Sequence, residues 1–240
     1  MSKKFRIIPR LEIKNNFLIK GMYMEGLKKI GNPVEYACKY SKENFHELFY
    51  EDIVASLYNR GLEIELVKKI SDNINIPLTV CGGIQNLDQI KILFRSGADK
   101  ICINSSLFKN LKLLNQASKV FGSQSVGVLI QYKKINENYE VFAESGRERT
   151  RIKLLDWINR VQSNGAGEIY LSSIDNDGVE KEIDFKILGE ASNICSVPIH
   201  YGGNINNHEQ INLLKKFNFS GALLSKSLHG KTFRTISKYL

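Results

Sequence analysis

The sequence lacks the apolar run of about 18 residues that a membrane-spanning helix requires. Its basic N-terminal stretch leads into no long apolar core and no small-residue cleavage site, which favours a first strand over a signal peptide. Cysteine is scarce, and Cys38, Cys81, Cys102 and Cys195 form neither a CxxC pair nor a metal-ligand cluster with the four histidines. We therefore expect no membrane contact, no metal, no cofactor, and a reducing, cytoplasmic location.

Several functional signatures are also missing. The sequence contains no phosphate-binding P-loop, no dinucleotide fingerprint, no GxSxG motif and no nucleic-acid-binding signature. The formal net charge is +9, which favours anionic partners but is more often the mark of a lysine-rich surface. We therefore expect a phosphorylated small molecule, and no nucleic acid, as the ligand.

What the 240 residues do contain is a regular alternation of short apolar runs and helical patterns. Such alternation predicts a parallel sheet, and eight units close a barrel. Residues 1–240 are thus predicted to form one α/β domain, a single (β/α)8 TIM barrel. The predicted strands are 5–12, 47–53, 77–81, 100–104, 125–132, 168–173, 197–201 and 221–225. Predicted helices include 60–74, 87–97, 109–121, 152–164 and 207–217.

An internal repeat divides this barrel. Gly82-Gly83 and Gly202-Gly203 are 120 residues apart, half the chain, and lie in similar surroundings. The runs RIIPRLEIK and SVGVLIQYK repeat at nearly the same offset. The sequence therefore predicts two similar half-barrels, each of four strands.

Each half carries a pattern suited to phosphate. A Gly-Gly pair follows one strand, and a small polar run follows the next: Asn104 and Ser105 in the first half, Ser225 and Ser227 in the second. Glycines let backbone N–H groups approach an anion, and hydroxyls at a helix start are suitable ligands. A tight strand–helix turn explains one copy equally well, but two matched copies predict a substrate with two phosphates.

Five segments carry a resemblance to a known family: GNPVE (31–35), TVCGGI (79–84), GADKICINSS (97–106), FGSQSV (121–126) and GAGEIYLSSIDNDG (165–178). They closely resemble HisF, the cyclase subunit of imidazole glycerol phosphate synthase. The resemblance implies that ammonia arrives from a glutaminase partner, HisH, in a heterodimer. It also implies a reaction of that ammonia with a bisphosphorylated ribulotide.

The resemblance implies site residues at the active end. The family uses two aspartates as general acid and base, and those positions hold Glu12 and Gln131 here. Asp52 and Asp177 match further family aspartates. Lys20 matches the mobile first loop, and Ser172 falls among the substrate-binding residues.

Glutamine cannot serve as a general acid or base, because it has no titratable proton near neutral pH. Arg10 replaces a family cysteine, and Tyr201, preceded by His200, replaces a family serine. We therefore predict a divergent paralogue whose own cyclase activity is doubtful.

Four charged residues at strand starts, Arg6, Glu47, Lys100 and Glu168, have balanced signs that favour an ion-paired ring. The resemblance implies that they form the gate through which ammonia enters. It places Asp99 at the docking interface with the glutaminase.

Three functions follow. The first is a synthase subunit that delivers ammonia to a phosphorylated or sugar acceptor, which family analogy connects with surface-polysaccharide biosynthesis. The second is a genuine imidazole glycerol phosphate synthase subunit of histidine biosynthesis. The third is a non-catalytic anion-binding or scaffold barrel, to which the basic segment GRERTRIK (146–153) would contribute unless it is merely an exposed loop.

Overall fold

The computed structural model describes residues 4–43, 45–58 and 61–229. Its strands, in chain order, are β1 (Arg6–Lys14), β2 (Phe17–Met22), β3 (Glu25–Gly31), β4 (Leu48–Asp52), β5 (Leu78–Cys81), β6 (Lys100–Ile103), β7 (Val126–Ile135), β8 (Asn138–Ala143), β9 (Glu148–Lys153), β10 (Glu168–Ser173), β11 (Ile199–Gly202) and β12 (Gly221–Leu224).

The helices are α1 (Pro33–Lys42), α2 (Ile64–Ser71), α3 (Leu87–Arg95), α4 (Ser106–Lys109), α5 (Lys112–Phe121), α6 (Leu154–Ser163), α7 (Phe185–Ile194), α8 (His208–Lys216) and α9 (Lys226–His229), with one 3-10 turn at Ser123–Ser125. No helix within the described ranges is long and apolar enough to cross a membrane.

Eight strands close a parallel barrel. They run in the order β1, β4, β5, β6, β7, β10, β11 and β12, and β12 pairs with β1 to complete the circle. The predicted (β/α)8 fold is confirmed, and each of the eight predicted strands coincides with a barrel strand. The five predicted helices correspond to α2, α3, α5, α6 and α8, while α1, α4, α7 and α9 were not among the predicted ranges.

Two hairpins extend the barrel beyond the predicted strands. β2 pairs antiparallel with β1 and β3, and β8 pairs antiparallel with β7 and β9. Positive φ angles at Asn15, Asn16 and Asn136 mark the tight turns, which asparagine tolerates better than most residues. Each hairpin follows the first strand of its half-barrel, which agrees with the predicted repeat.

The N-termini of α3 and α8 also have the same arrangement in the two half-barrels. Asn86 accepts a hydrogen bond from the Gln89 amide before α3, and Asn207 accepts one from the Gln210 amide before α8. Both glutamines reach back to the backbone N–H of the residue before their asparagine, one residue earlier than in a capping box. The two helices therefore begin by the same device after the two Gly-Gly turns.

Side chains alternate between two cores along the barrel strands. Those facing outward pack beneath the helices in one large apolar cluster. Those facing inward form a smaller buried layer across the barrel: Ile8, Phe49, Cys81, Cys102, Leu129, Tyr170 and Leu223. This apolar layer separates a polar lower end, at the strand starts, from a polar mouth at the strand ends.

Residues 230–240 lie outside the described ranges. The prediction that residues 1–240 form one domain therefore stays a prediction.

Candidate functional site at the mouth of the barrel

Two cavities open at the carboxyl ends of the strands. The first, of about 400 Å³, is lined by Gly82, Gly83, Asn104 and Ser105, and Glu51 lies at its base. The second, of about 240 Å³, is lined by Gly202, Gly203, Ser225 and Ser227, and Arg10 borders it. Each predicted phosphate pattern therefore assembles into its own cavity, and we name these the first and second cradles.

The first cradle requires glycine. Gly82 has φ of +110°, and a Cβ there would overlap the carbonyl oxygen of Asp52. Gly83 also has a positive φ, +64°.

In the second cradle Gly203 has φ of +148°, and a Cβ would lie 2.7 Å from the Tyr201 hydroxyl. The Gly-Gly pairs thus allow the backbone to turn closely against neighbouring strands.

Between the cradles lies a buried charged group that we name the upper cluster: Arg10, Glu12, Lys20, Glu51, Gln131 and Asp177. Lys20 donates to both carboxylate oxygens of Glu12, at 2.9 and 2.7 Å, and to Asp177 at 2.6 Å. The other oxygen of Asp177 accepts from the Met24 amide. Lys20 and Asp177 together fasten the β2–β3 hairpin to the barrel mouth.

Arg10 forms the second half of the upper cluster. Its guanidinium donates to Glu51 at 2.6 Å and to the Ser172 hydroxyl at 2.9 Å, and it lies 3.7 Å from Glu12. Register pairing of β1 with β4 aligns Glu12 with Glu51. Two carboxyl groups therefore lie near the same guanidinium nitrogen, Nη2 of Arg10.

Gln131 completes this cluster from β7. Its oxygen accepts from the Asn104 side-chain amide at 3.0 Å, and its nitrogen donates to Glu51 at 3.3 Å. The position therefore contributes a hydrogen-bonding amide, while the nearest carboxyl belongs to Glu51.

The two carboxyl groups differ in pKa. Burial by itself raises the pKa of Glu12, but the charges of Lys20 and Arg10 outweigh it and hold the value below the usual range. Burial raises the pKa of Glu51 despite its contact with Arg10. Neighbouring carboxyls whose pKa values are driven apart suit a base and an acid, respectively.

Three other predicted site residues, Asp52, Ser105 and Ser225, form hydrogen bonds within the protein. Asp52 accepts from the amides of Val54 and Ala55, as a turn residue does. Ser105 accepts from the Glu144 amide. Ser225 shares a hydrogen bond with Glu12. Lys226 donates to the Gly178 carbonyl at 2.8 Å, and this contact fastens the β12–α9 turn to the loop after β10.

At the opposite end, the four charged residues form a closed ring, which we name the lower ring. Arg6 donates to Glu47 at 2.7 Å and to Glu168 at 2.9 Å. Lys100 contacts the same two carboxylates at 3.1 and 2.9 Å. Glu47 also accepts from Thr79 and Tyr170. The predicted ion pairing is therefore present in the structure.

Asp99 lies exposed beside the lower ring, where its carboxylate accepts from the Leu78 amide at 2.8 Å. The basic segment 146–153, considered above as an exposed loop, instead places 148–153 in the exposed edge strand β9. There Arg149 pairs with Glu140 through two 2.7 Å contacts.

Sequence reasoning missed Glu51 as a site residue, and it gave Arg10 no role. An acidic residue at an inward position of the buried strand LFYED was the available signal. Over the described residues, no group of three or more His, Cys, Asp or Glu side chains is arranged to hold a metal ion. All four cysteines are free.

Comparison with known proteins identifies similar sequences. A family profile described as "Histidine biosynthesis protein" matches residues 6–234. A protein named imidazole glycerol phosphate synthase subunit HisF, from Natranaerobius thermophilus, is 41% identical over 225 residues, covering 93% of this chain and 90% of the relative. A Legionella pneumophila protein of that name is 42% identical over 86% of this chain and 98% of the relative. A protein of the same name from Prochlorococcus marinus is 37% identical over 98% of this chain and 94% of the relative.

Proposed function

Because the chain belongs to the HisF family of histidine biosynthesis proteins, we propose that it is the synthase subunit of a two-component glutamine amidotransferase. A HisH-like glutaminase docks at the lower ring, near Asp99, and releases ammonia into the barrel. The observation that carries this proposal is the arrangement of one barrel interior, with an ion-paired ring at one end and two phosphate cradles at the other.

The interior suits uncharged ammonia. Between the lower ring and the upper cluster, the route crosses the apolar layer that includes Phe49, Leu129 and Leu223. Transfer of a charged ammonium ion through such a layer is costly, whereas a small neutral molecule crosses at far lower cost. Ammonia would then meet its acceptor at the upper cluster.

The two cradles support an acceptor with two phosphate groups. They lie on opposite sides of the upper cluster, so a bisphosphorylated molecule bound to both would cross Arg10, Glu12 and Glu51. In this position its central carbons face the carboxyl groups. A phosphorylated acceptor is therefore favoured over a neutral one.

Two reactions are compatible with this arrangement. The names of the relatives favour formation of imidazole glycerol phosphate. Gln131 favours a paralogue with a different acceptor, because an amide cannot transfer the proton that an aspartate there transfers. The relatives lend no support to a role in surface polysaccharide, and that assignment, like a cytoplasmic location, stays a prediction.

We infer that any proton transfer uses Glu12 as the base. Glu51, which is ion-paired with Arg10 at rest, serves as the acid once it has taken up a proton. The purified chain, supplied with the ribulotide and an ammonium salt, tests the reaction directly. Turnover approaching a typical enzyme's value of about 10 per second would establish the cyclase reading and exclude the paralogue. In that case Glu51→Gln should reduce turnover by roughly 100-fold or more, whereas Glu140→Gln, at the exposed β8–β9 hairpin, should retain it.

The scaffold alternative predicts a different set of results. A non-catalytic barrel would bind no glutaminase and would not stimulate glutamine hydrolysis. If its charge served nucleic acid, binding would weaken steeply as salt is raised. Co-purification with a HisH-like glutaminase, followed by a glutaminase assay, separates this alternative from the synthase subunit.

A further inference from the structure

His200 is a buried, titratable residue that the proposed function does not use. It lies on β11 with no exposed surface, at the level of the lower ring. Its ring stacks on Tyr170, with centroids 4.8 Å apart and planes inclined at 23°. The imidazole therefore lies inside the barrel, between the lower ring and the apolar layer.

The contacts of Nε2 fix the protonation state of this imidazole. Nε2 lies 2.6 Å from a guanidinium nitrogen of Arg6 and 3.3 Å from a carboxylate oxygen of Glu168. Arginine can only donate, so Nε2 accepts from Arg6 at the shorter distance. Burial also lowers the pKa of His200, which keeps the ring neutral near pH 7. A neutral ring whose Nε2 accepts carries its proton on Nδ1.

Nδ1 has no hydrogen-bond partner among the described residues. Gly221 is the β12 residue paired with His200, and a Cβ at position 221 would lie 2.8 Å from Nδ1. Glycine at position 221 therefore keeps side-chain atoms away from this face of the buried imidazole. A buried N–H donor without an acceptor is rare in proteins and calls for a functional explanation.

Resting on the proposed function, we propose that the Nδ1–H of His200 is an ammonia-binding group just inside the lower ring. It donates to the lone pair of ammonia and thereby satisfies the donor that the protein leaves unpaired. Ammonium has no lone pair and cannot accept this hydrogen bond. The group thus selects the uncharged species before it enters the apolar layer.

The surroundings support this selection. The charged and titratable groups that face His200 are Arg6 from β1, Glu47 beside β4, Lys100 from β6, and Glu168 and Tyr170 from β10. The two carboxylates are already paired with Arg6 and Lys100. They therefore offer no free negative charge to hold an ammonium ion beside the imidazole.

Nuclear magnetic resonance of the full chain with nitrogen-labelled histidine tests the proposal without a glutaminase or an acceptor. The spectrum should show His200 as the Nδ1–H tautomer. Ammonium chloride at mildly alkaline pH should shift its resonance to saturation, while potassium chloride should not. Lowering the pH at constant total ammonium should reduce the shift in proportion to the ammonia that remains.

The other three histidines are internal controls: ring nitrogens of His46 and His229 are also buried without a partner in the described part of the chain, but none of the three residues lies on a barrel strand. The resonances of His46, His208 and His229 should therefore not respond specifically to ammonia. His200→Gln and His200→Asn assign the signal, and either one suffices if the other fails to fold. An Nε2–H tautomer, or equal shifts with the two salts, would overturn the proposal. Failure to isolate a glutaminase complex would count against the proposed function but would leave this result unchanged.

Discussion

Arg10 and Glu51 form an ion pair inside the barrel, 2.6 Å between nitrogen and oxygen and almost completely shielded from solvent. The pair links β1 to β4 at the base of the first cradle. Because each charge is buried, each depends on the other for compensation. This relationship makes the upper cluster sensitive to the loss of one partner and tolerant of the loss of both.

Arg10→Met should lower the free energy of unfolding by about 3–5 kcal/mol, since it leaves Glu51 buried without its cation. The double variant Arg10→Met with Glu51→Leu should recover most of that loss, because no uncompensated charge remains. Urea unfolding of the wild type, both single variants and the double variant measures the coupling. Additive losses in the double variant would contradict the prediction.

Glu168 in the lower ring should make stability depend on acid pH. Burial by itself raises its pKa, but the 3.3 Å contact with His200 and the charges of Arg6 and Lys100 lower it on balance. A carboxyl with a lowered pKa stabilises the fold above its ordinary value of 4.5, and this contribution is lost as pH falls toward the folded-state pKa.

Glu168→Gln should therefore cost on the order of 3 kcal/mol near neutral pH and progressively less below the ordinary carboxyl pKa. Unfolding curves at a series of pH values give the difference. Glu140→Gln is the matched control, because its partner Arg149 is on the surface and solvent screens that pair. A cost for Glu168→Gln that does not depend on pH would disprove the prediction.

Gly82→Ala should disrupt the first cradle. The new Cβ would overlap the Asp52 carbonyl at a backbone φ of +110°, and strain of this kind costs about 1–3 kcal/mol. The affinity for inorganic pyrophosphate, measured by calorimetry, should decrease as well. Gly61→Ala is the control, since nothing lies within 4 Å of that position, and its stability should stay unchanged or rise by about 0.4–1 kcal/mol.

Asp99 should matter for docking more than for folding. Asp99→Lys reverses an exposed charge on the lower face and should weaken binding of a HisH-like glutaminase at least tenfold. Asp99→Asn retains an acceptor for the Leu78 amide and separates charge from local structure. Asp88→Lys in α3, near the mouth, should leave affinity unchanged in a surface plasmon resonance assay. Equal weakening by both lysine variants would argue against a lower-face interface.

The barrel strands were predictable because their signal is local. Apolar runs such as the one containing Leu78 and Val80 are buried on both faces, and their spacing determines where a strand begins and ends. The β2–β3 and β8–β9 hairpins escaped prediction, and in each of them the second strand, β3 or β9, is largely exposed. A polar strand has no clear alternation of apolar and polar residues, so nothing in its periodicity identifies it.

The site was only partly predictable. The glycines Gly82 and Gly203 indicate tight backbone turns by their residue type alone. Both cradles could therefore be located from the sequence. Glu51 was missed, because an acidic residue in the strand LFYED indicates a site only when Arg10 and Gln131 lie beside it. Those residues are 41 and 80 positions away along the chain.

The sequence by itself determined the barrel, its two halves, the cradles and the family, because these depend on periodicity, glycine placement and contiguous motifs. Only the tertiary structure decided which carboxyl neighbours Gln131, and which nitrogen of His200 lacks a partner. Those facts arise where strands remote in sequence meet in a buried interior. There, distance and desolvation, rather than residue type, determine which groups carry charge and which hold a proton.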